Sequence, residues 1–218
     1  MIIAIDGPAG SGKSTVSKRV AQKLNLLYVD TGAMYRALTL KAIRKRFDLR
    51  DKEILSDLAR NTKIDLKYDK DNSLIVLLDG ADVSKDIRTP ELTNNIKFIA
   101  GTPDVRAEMV KMQRSVAARG PGAVLEGRDI GTVVFPDADK KFYLDADFRE
   151  RAARRHKELL EAGQSVTLKD IEEDVKARDK NDMERKAGPL KKADDAIAIN
   201  TTALTIDQTV EKILSYII

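Results

Sequence analysis

Short apolar runs alternate with amphipathic stretches along most of this chain. Residues 2–5 are continuously apolar, as expected of a strand buried on both faces. Val16, Val20 and Leu24 then recur every four residues, which predicts a helix with a single apolar stripe. Repetition of this arrangement predicts an α/β fold with a parallel-sheet core. Further strands are predicted at 26–29, 123–125, 141–144 and 196–199.

Capping residues mark where several helices begin. Thr89-Pro90 and Thr102-Pro103 each place a threonine cap before a proline at the first helical position. Thr167 is a further cap, and residues 205–208 match a capping box. Thr31-Gly32 is predicted to turn the chain before the second helix. The predicted helices are 33–46, 51–60, the two that follow the Thr-Pro pairs, 148–162, 168 to about 181, and a last one after 205.

The pattern changes between residues 64 and 80. Ile64, Leu66 and Tyr68 alternate with polar residues, which predicts a half-buried strand. A turn at 69–73 and a second strand at 74–78 follow, and Asp79-Gly80 indicates a hairpin. We interpret this region as an antiparallel insertion on the main sheet, not as a separate domain.

Residues 7–14 match G-x-x-x-x-G-K-[ST], the phosphate-binding P-loop. The alternative is a glycine turn that only joins a strand to a helix, but both flanks agree with the motif. Glycines let backbone N–H groups point at phosphate oxygens, and the helix N-terminus adds partial positive charge. Lys13 is expected to reach the β- and γ-phosphates of a nucleoside triphosphate, and Ser14 to hold Mg²⁺.

Composition narrows the class of protein. The 218 residues are 42% hydrophobic and 34% charged, with a net charge of +4, which suits one α/β domain and is no proof of nucleic-acid binding. The absence of cysteine excludes disulfides, thiolate metal sites and cysteine nucleophiles. Because the chain opens with a strand and has no apolar run near membrane length, we expect a cytoplasmic protein without a signal peptide.

Charged residues follow two of the predicted strands. Arg36 comes soon after the strand that ends at Asp30, and Arg128-Asp129 follows the strand at 123–125. The alternatives are a solvated surface charge for Arg36 and a surface ion pair for Arg128-Asp129. Ligands in open α/β sheets bind at the carboxyl ends of strands, which favours ligand binding at both places.

The later helices carry further charges. Arg178, Asp182 and Arg185 lie on one face if their helix continues, as a ligand site or as a local salt-bridge ladder. The basic helix at 148–162 is either a solvated face or a segment that closes over phosphates. His156 on that helix is interpreted as an exposed residue, not a catalytic base.

Elimination leaves a small kinase. The chain has no Asn-Lys-x-Asp motif to read guanine, and it is too short for a motor or helicase. Arginines recur at strand and helix ends and suit phosphate recognition, so a nucleoside monophosphate is a natural acceptor. Two alternatives stay open: a P-loop kinase for a hydroxylated metabolite, and a nucleotide-dependent regulatory protein without turnover.

The chain resembles the bacterial-type cytidylate kinases over essentially its whole length, through the stretches 6–14, 30–36, 127–138 and 178–190. The resemblance implies a nucleoside monophosphate kinase fold with helices on both faces of the sheet, the antiparallel insertion and a short lid. It implies a single kinase domain, 1–218. Its regions would be a core of about 1–30, 100–147 and 190–218, a monophosphate-binding region of about 31–100, and lid and acceptor-side helices of about 148–189.

The resemblance also implies transfer of the γ-phosphoryl group of ATP to CMP or dCMP with Mg²⁺, in a monomer that binds neither nucleic acid nor membrane. Arg154 and Arg155 would be lid arginines. Lys97 stands where relatives place a small hydroxyl residue near the base, a departure from the family pattern. Catalysis would rest on Lys13, Arg128 and Asp129. ATP would bind Gly7, Pro8, Ala9, Gly10, Ser11, Gly12, Lys13, Ser14 and Thr15. CMP would bind Thr31, Arg36, Arg106, Arg128, Asp129, Arg178, Asp182 and Arg185.

Overall fold

A computed structural model describes residues 1–70, 73–161 and 163–218. The chain divides into two compact units, one of Met1–Tyr28 with Gly120–Ile218 and one of Val29–Arg119. In chain order, the strands and α-helices are β1 (Ile2–Asp6), α1 (Lys13–Leu24), β2 (Leu27–Asp30), α2 (Thr31–Arg44), α3 (Lys52–Arg60), β3 (Ile64–Tyr68), β4 (Leu74–Leu78), β5 (Ala81–Asp82), α4 (Pro90–Ala100), α5 (Pro103–Ala117), β6 (Ala123–Gly127), β7 (Lys140–Asp145), α6 (Phe148–Glu161), α7 (Leu168–Glu184), β8 (Ile197–Asn200) and α8 (Ile206–Leu214).

A five-stranded sheet with the order β2-β6-β1-β7-β8 organises the first unit. β1 pairs in parallel with β6 and β7, and β7 pairs in parallel with β8. Ile3, Ile5, Leu125 and Leu144 are completely buried, as the apolar runs predict for strands covered on both faces. Because parallel strands end at the same edge, the residues that follow β1 and β6 begin side by side.

Local capping chemistry sets the start of the late helices in this unit. The side chains of Thr167 and Asp170 form a reciprocal capping box at the start of α7, and Thr205 and Gln208 do the same for α8. Both predicted starts are confirmed. α7 continues to Glu184, three residues beyond its predicted end, and the predicted end of α6 at residue 162 lies outside the described residues.

In its described residues, the second unit combines the α-helices α2 to α5 with a small antiparallel sheet of order β3-β4-β5. Ile64 pairs with Leu78, and Leu78 also pairs with Ala81 across the two-residue turn. Asp79 and Gly80 both have positive φ, 50° and 91°, as an Asp-Gly hairpin requires. These strands form a sheet of their own, which corrects the prediction that they add to the main sheet. The predicted turn at 69–73 includes residues 71 and 72, which lie outside the described residues.

The predicted turn at Thr31-Gly32 is wrong, because α2 begins directly at Thr31. The Asp30 side chain caps the helix by accepting the N–H of Ala33 at 2.7 Å, so no turn separates β2 from α2. Thr102 is the N-cap of α5 as predicted, but its hydroxyl donates to the carbonyl of Phe98 instead of capping.

A π-helix at Ile130–Val134 was not predicted. It follows Arg128-Asp129 directly, and its first two N–H groups donate to the carboxylate of Asp6, 2.8 Å away in each case. The partner lies 124 residues away in sequence, so no local pattern could indicate this segment. No helix within 1–70, 73–161 or 163–218 is both long and apolar enough to span a membrane.

Candidate active site

The P-loop connects β1 to α1 by a backbone that side chains would obstruct. At Gly7 a Cβ atom would lie 2.0 Å from the carbonyl oxygen of Leu144 on the neighbouring strand. At Gly10, with φ of 75°, it would lie 2.6 Å from the carbonyl oxygen of Arg151. α1 then begins at Lys13, and the first N–H groups of a helix have no intrahelical acceptor. The loop therefore has the geometry of an anion site at a helix N-terminus.

Lys13 is the buried cation of this loop. Its side chain is folded back so that Nζ donates to the carbonyl of Pro8 at 2.8 Å, and the residue is only 5% exposed. Burial lowers the pKa of Lys13 to about 7, and the positive charge of Arg128 contributes to the decrease. An anion bound beside this ammonium group would favour its charged form.

Four of the predicted acceptor-side residues meet in one cluster of the first unit. Arg128 Nε donates to Asp182 at 2.7 Å, and Arg185 Nη1 donates to the other oxygen of Asp182 at 3.2 Å. A further nitrogen of Arg185 lies 3.7 Å from Asp129. Arg128 and Asp182 are 54 residues apart in sequence. The structure therefore contains local pairs along α7, such as Asp182 with Arg185, and also tertiary ion pairs that join α7 to the segment after β6.

Arg178 lies on the same helix but pairs elsewhere, with Asp174 at 3.7 Å. Burial lowers the pKa of Arg178, and the like charge of Arg128 lowers it further. Burial alone would raise the pKa of Asp182, but Arg128 and Arg185 outweigh burial and hold it below its ordinary value. Lys13, Arg128 and Arg178 thus repel one another electrostatically, and a phosphate bound among them would relieve that repulsion.

The second unit holds the other predicted acceptor-side residues. Thr31 is buried in the first turn of α2, and Arg36 Nη2 lies 3.4 Å from Asp30, the cap of the same helix. Arg106 is 4% exposed; its guanidinium lies 5.3 Å from the ring centre of Tyr35 and donates to the carbonyl of Ala100. Arg106 is thus a buried arginine, whereas Arg36 remains partly exposed.

Sequence reasoning missed Arg151 on α6. Its guanidinium donates to the P-loop carbonyl of Ala9 at 3.0 Å, to the carbonyl of Ala146 at 3.1 Å and to Asp179 on α7 at 2.6 Å. The residue is 7% exposed. The available signal was its position next to Ala152, on the apolar side of an otherwise charged helix.

The two arginines that the resemblance marks as lid residues differ from each other. Arg154 donates to the carbonyl of Thr201 at 2.7 Å and pairs with Glu150, so it is not the freely exposed side chain that a lid residue would present. Arg155 pairs only with Glu158 on its own helix, and its Nε is buried without a partner among the described residues. His156 is half-buried, not exposed, and its Nε2 lies 3.0 Å from the carbonyl of Val166.

The site offers Mg²⁺ few protein ligands. Ser14 is exposed at the start of α1, and the described parts of the chain contain no group of three or more His, Cys, Asp or Glu that could hold a metal ion. Mg²⁺ in nucleotide sites keeps several waters and binds through substrate phosphates with one or two protein ligands. The accessible hydroxyl of Ser14 beside the P-loop fits an ion that arrives with the nucleotide.

Sequence comparison with known proteins identifies one family. The sequence model described as cytidylate kinase matches residues 3–218. A cytidylate kinase of Desulforamulus reducens is 51% identical over 215 residues, 99% of this chain and 96% of the relative, and one of Bacillus cereus is 47% identical over 99% and 95%. A crystal structure of an uncharacterized protein from Eubacterium ventriosum superimposes with a TM-score of 0.52 at 18% identity over 100% of this chain and 98% of that one, which indicates a shared fold.

Proposed function

This chain belongs to the cytidylate kinase family, and we propose that it transfers the γ-phosphoryl group of ATP to CMP or dCMP, with Mg²⁺, to give ADP and CDP or dCDP. One observation carries the proposal beyond the family assignment. The unit that contains the P-loop also contains a cluster of Arg128, Asp129, Asp182 and Arg185, within the electrostatic reach of Lys13. Lys13, Arg128 and Arg185 supply the positive charge that is needed to bring two anionic nucleotides together.

We assign the ATP side to the P-loop. Its backbone N–H groups and Lys13 would hold the β- and γ-phosphates, and Ser14 would hold Mg²⁺. When bound, Mg²⁺ would neutralise charge on the phosphates. A phosphate bound beside Lys13 would replace the contact of Nζ with the carbonyl of Pro8 by a charge-assisted hydrogen bond.

Within the unit that contains the P-loop, we assign the acceptor phosphate to Arg128 and the cytidine to Asp129 and Asp182, with Arg178 and Arg185 as further CMP contacts. Thr31, Arg36 and Arg106 keep the CMP-binding role that the family resemblance implies. The arginine fork matches phosphate oxygens in pairs, and carboxylates accept hydrogen bonds from sugar hydroxyls and the cytosine amino group. Asp182 suits this role because Arg128 and Arg185 keep it ionised.

The proposed transfer needs little covalent participation by the protein. The acceptor is already an anion, so no strong base is required. Lys13 and the arginines would neutralise charge as the phosphoryl group passes in line between the two nucleotides, and they would align the reacting oxygens. The region of about 148–189, which contains the lid and acceptor-side helices, would supply the lid that excludes water.

A panel of acceptors with ATP and Mg²⁺ tests the proposal. ADP release is measured with CMP, dCMP, UMP, AMP, a hydroxylated metabolite and no acceptor. We expect CMP and dCMP to be phosphorylated well and UMP much more slowly. Lys13→Ala serves as the inactive reference, because loss of one transition-state charge partner costs about 10²–10³-fold in kcat. Equal or faster turnover of UMP or AMP would contradict the assigned specificity, and ADP release that no acceptor increases would contradict kinase activity altogether.

A further inference from the structure

Asp6, the last residue of β1, has a buried carboxylate whose partners lie far along the chain. Its two oxygens accept the N–H groups of Ile130 and Gly131, each at 2.8 Å, and the residue is 4% exposed. These are the first two residues of the π-helix Ile130–Val134. Asp129, which precedes the π-helix, makes no side-chain cap itself. Asp6, at the end of β1, therefore accepts the helix-start N–H groups that a helix normally directs to its own N-cap residue.

The same residue also holds the other end of the segment. In the parallel pairing of β1 with β6, Asp6 lies opposite Gly127. Only Arg128 and Asp129 lie between this backbone attachment and the two N–H groups that the carboxylate binds. The segment that carries Arg128 and Asp129 is thus attached to Asp6 at both of its ends.

Asp6 is at the same time the residue before the P-loop. Gly7 follows it, and the backbone there packs against β7 so closely that a Cβ atom on Gly7 would meet the carbonyl of Leu144. The position of Asp6 is therefore set by the sheet on both sides, by Gly127 on β6 and by Tyr143 on β7. A short, rigid connection runs from the loop that would bind ATP to the segment that would bind CMP.

We infer that Asp6 is a positioning residue for phosphoryl transfer, whose carboxylate aligns Arg128 and Asp129 with the P-loop without itself touching either nucleotide. This inference rests on the proposed function. A displacement of about 1 Å between reacting groups can cost about 10²-fold in rate, so a residue that fixes their spacing acts on kcat.

The electrostatics support a positioning role over a stabilising one. Burial raises the pKa of Asp6 to about 6, because it outweighs the two backbone hydrogen bonds; Asp129 raises it further and Lys13 opposes the increase. Tyr143 faces Asp6 from β7, and Lys141 on that strand packs against Gly131. A carboxyl whose folded pKa is raised favours folding most when it is protonated, and that contribution is lost as the pH rises through 6. The ionised carboxylate thus costs stability at neutral pH while it holds the segment.

The test compares Asp6→Asn with a matched control, Asp139→Asn. Asp139 also accepts a β1 backbone N–H, that of Ile2 at 2.6 Å, but at the opposite end of the strand. Asn keeps the shape of Asp6 but turns an N–H donor towards one of the two backbone donors. We expect Asp6→Asn to lower kcat by about 10–100-fold and to raise KM for CMP more than KM for ATP. Asp139→Asn should stay within about twofold of wild type.

Two readouts separate positioning from simple loss of structure. In the wild type, kcat should fall as the pH drops through about 6, since protonated Asp6 presents an O–H to an N–H. The fall should be shallower in Asp6→Asn, which keeps only the part caused by protonation of the nucleotide phosphates. The protection factors of the Ile130 and Gly131 amides, which compare each exchange rate with that of an unprotected amide at the same pH, should fall in Asp6→Asn and, in the wild type, below pH 6. This readout does not depend on which acceptor the enzyme uses. A kcat within twofold of wild type, or an equal loss in Asp139→Asn, would overturn the inference. If Asp6→Asn does not fold, protection factors of Ile130 and Gly131 in the wild type that stay constant across pH 6 would overturn the inference as well.

Discussion

At the scale of single residues, burial separates arginines that look equivalent in sequence. Arg151, Arg154 and Arg155 lie within five positions of one helix, yet their guanidinium groups have different partners. Arg151 is buried against the P-loop and α7, and Arg154 is bonded to the residues after β8. Only Arg155 is held by nothing beyond its own helix among the partners described. Arg155 is therefore the better candidate for a side chain that reaches ATP in a closed state.

Alanine variants at Arg154 and Arg155 should affect different properties, stability in the first case and kcat in the second. Arg154→Ala removes charged hydrogen bonds to the carbonyl of Thr201, so it should lower the free energy of unfolding by about 2 kcal/mol. Arg155→Ala should leave the melting temperature nearly unchanged and lower kcat more than it weakens ATP binding to the free enzyme. Thermal melting and steady-state kinetics of both variants check this. Wild-type kcat in Arg155→Ala would contradict a role for Arg155 in the closed state.

At the scale of elements, one buried ion pair joins α6 to α7. Arg151 and Asp179 are both about one-tenth exposed and 2.6 Å apart, and the same guanidinium reaches the P-loop carbonyl of Ala9. The second oxygen of Asp179 is buried without a described partner. The pair therefore fixes two helices and the phosphate loop together.

Breaking this pair should be costly, because it leaves a buried carboxylate uncompensated. We expect Arg151→Ala to lower the free energy of unfolding by about 3–5 kcal/mol. Adding Asp179→Ala should restore part of that loss, since the double variant no longer buries an unpaired charge. Urea unfolding of the single and double variants measures both effects. The control is Arg60→Ala, which breaks an exposed pair with Asp57 and should cost less than about 1 kcal/mol. A double variant no more stable than Arg151→Ala would show that the pair is not coupled.

At the scale of the whole molecule, the proposed function requires that CMP binds the folded chain selectively. A ligand at 100 times its dissociation constant stabilises the folded state by about 2.7 kcal/mol. For a chain of this length that corresponds to an increase of about 5–10 °C in melting temperature. We expect CMP to produce this increase and UMP at the same concentration to produce a much smaller one, as measured by thermal melting without ATP. Equal increases in melting temperature with CMP and UMP would mean that the enzyme distinguishes the two nucleotides at a step after binding.

The sequence by itself determined the features that depend on neighbouring residues. The P-loop, its flanking strand and helix, the caps at Thr167 and Thr205 and the Asp79-Gly80 hairpin were all predicted, because each follows from contacts within about five positions. The family was also recognisable, since its motifs are continuous stretches of sequence. The roles of the individual site residues remain a prediction.

The tertiary structure decided what depends on contacts between distant residues. The capping of the π-helix by Asp6 and the pairing of Asp182 with Arg128 both join segments more than 50 positions apart. The same holds for Arg151, whose partner lies on another helix and 28 positions away. The sequence around a charged residue does not indicate which distant charge that residue will contact or how deeply it will be buried. Only the folded chain distinguishes an arginine that binds a neighbouring helix from one that remains available to a phosphate.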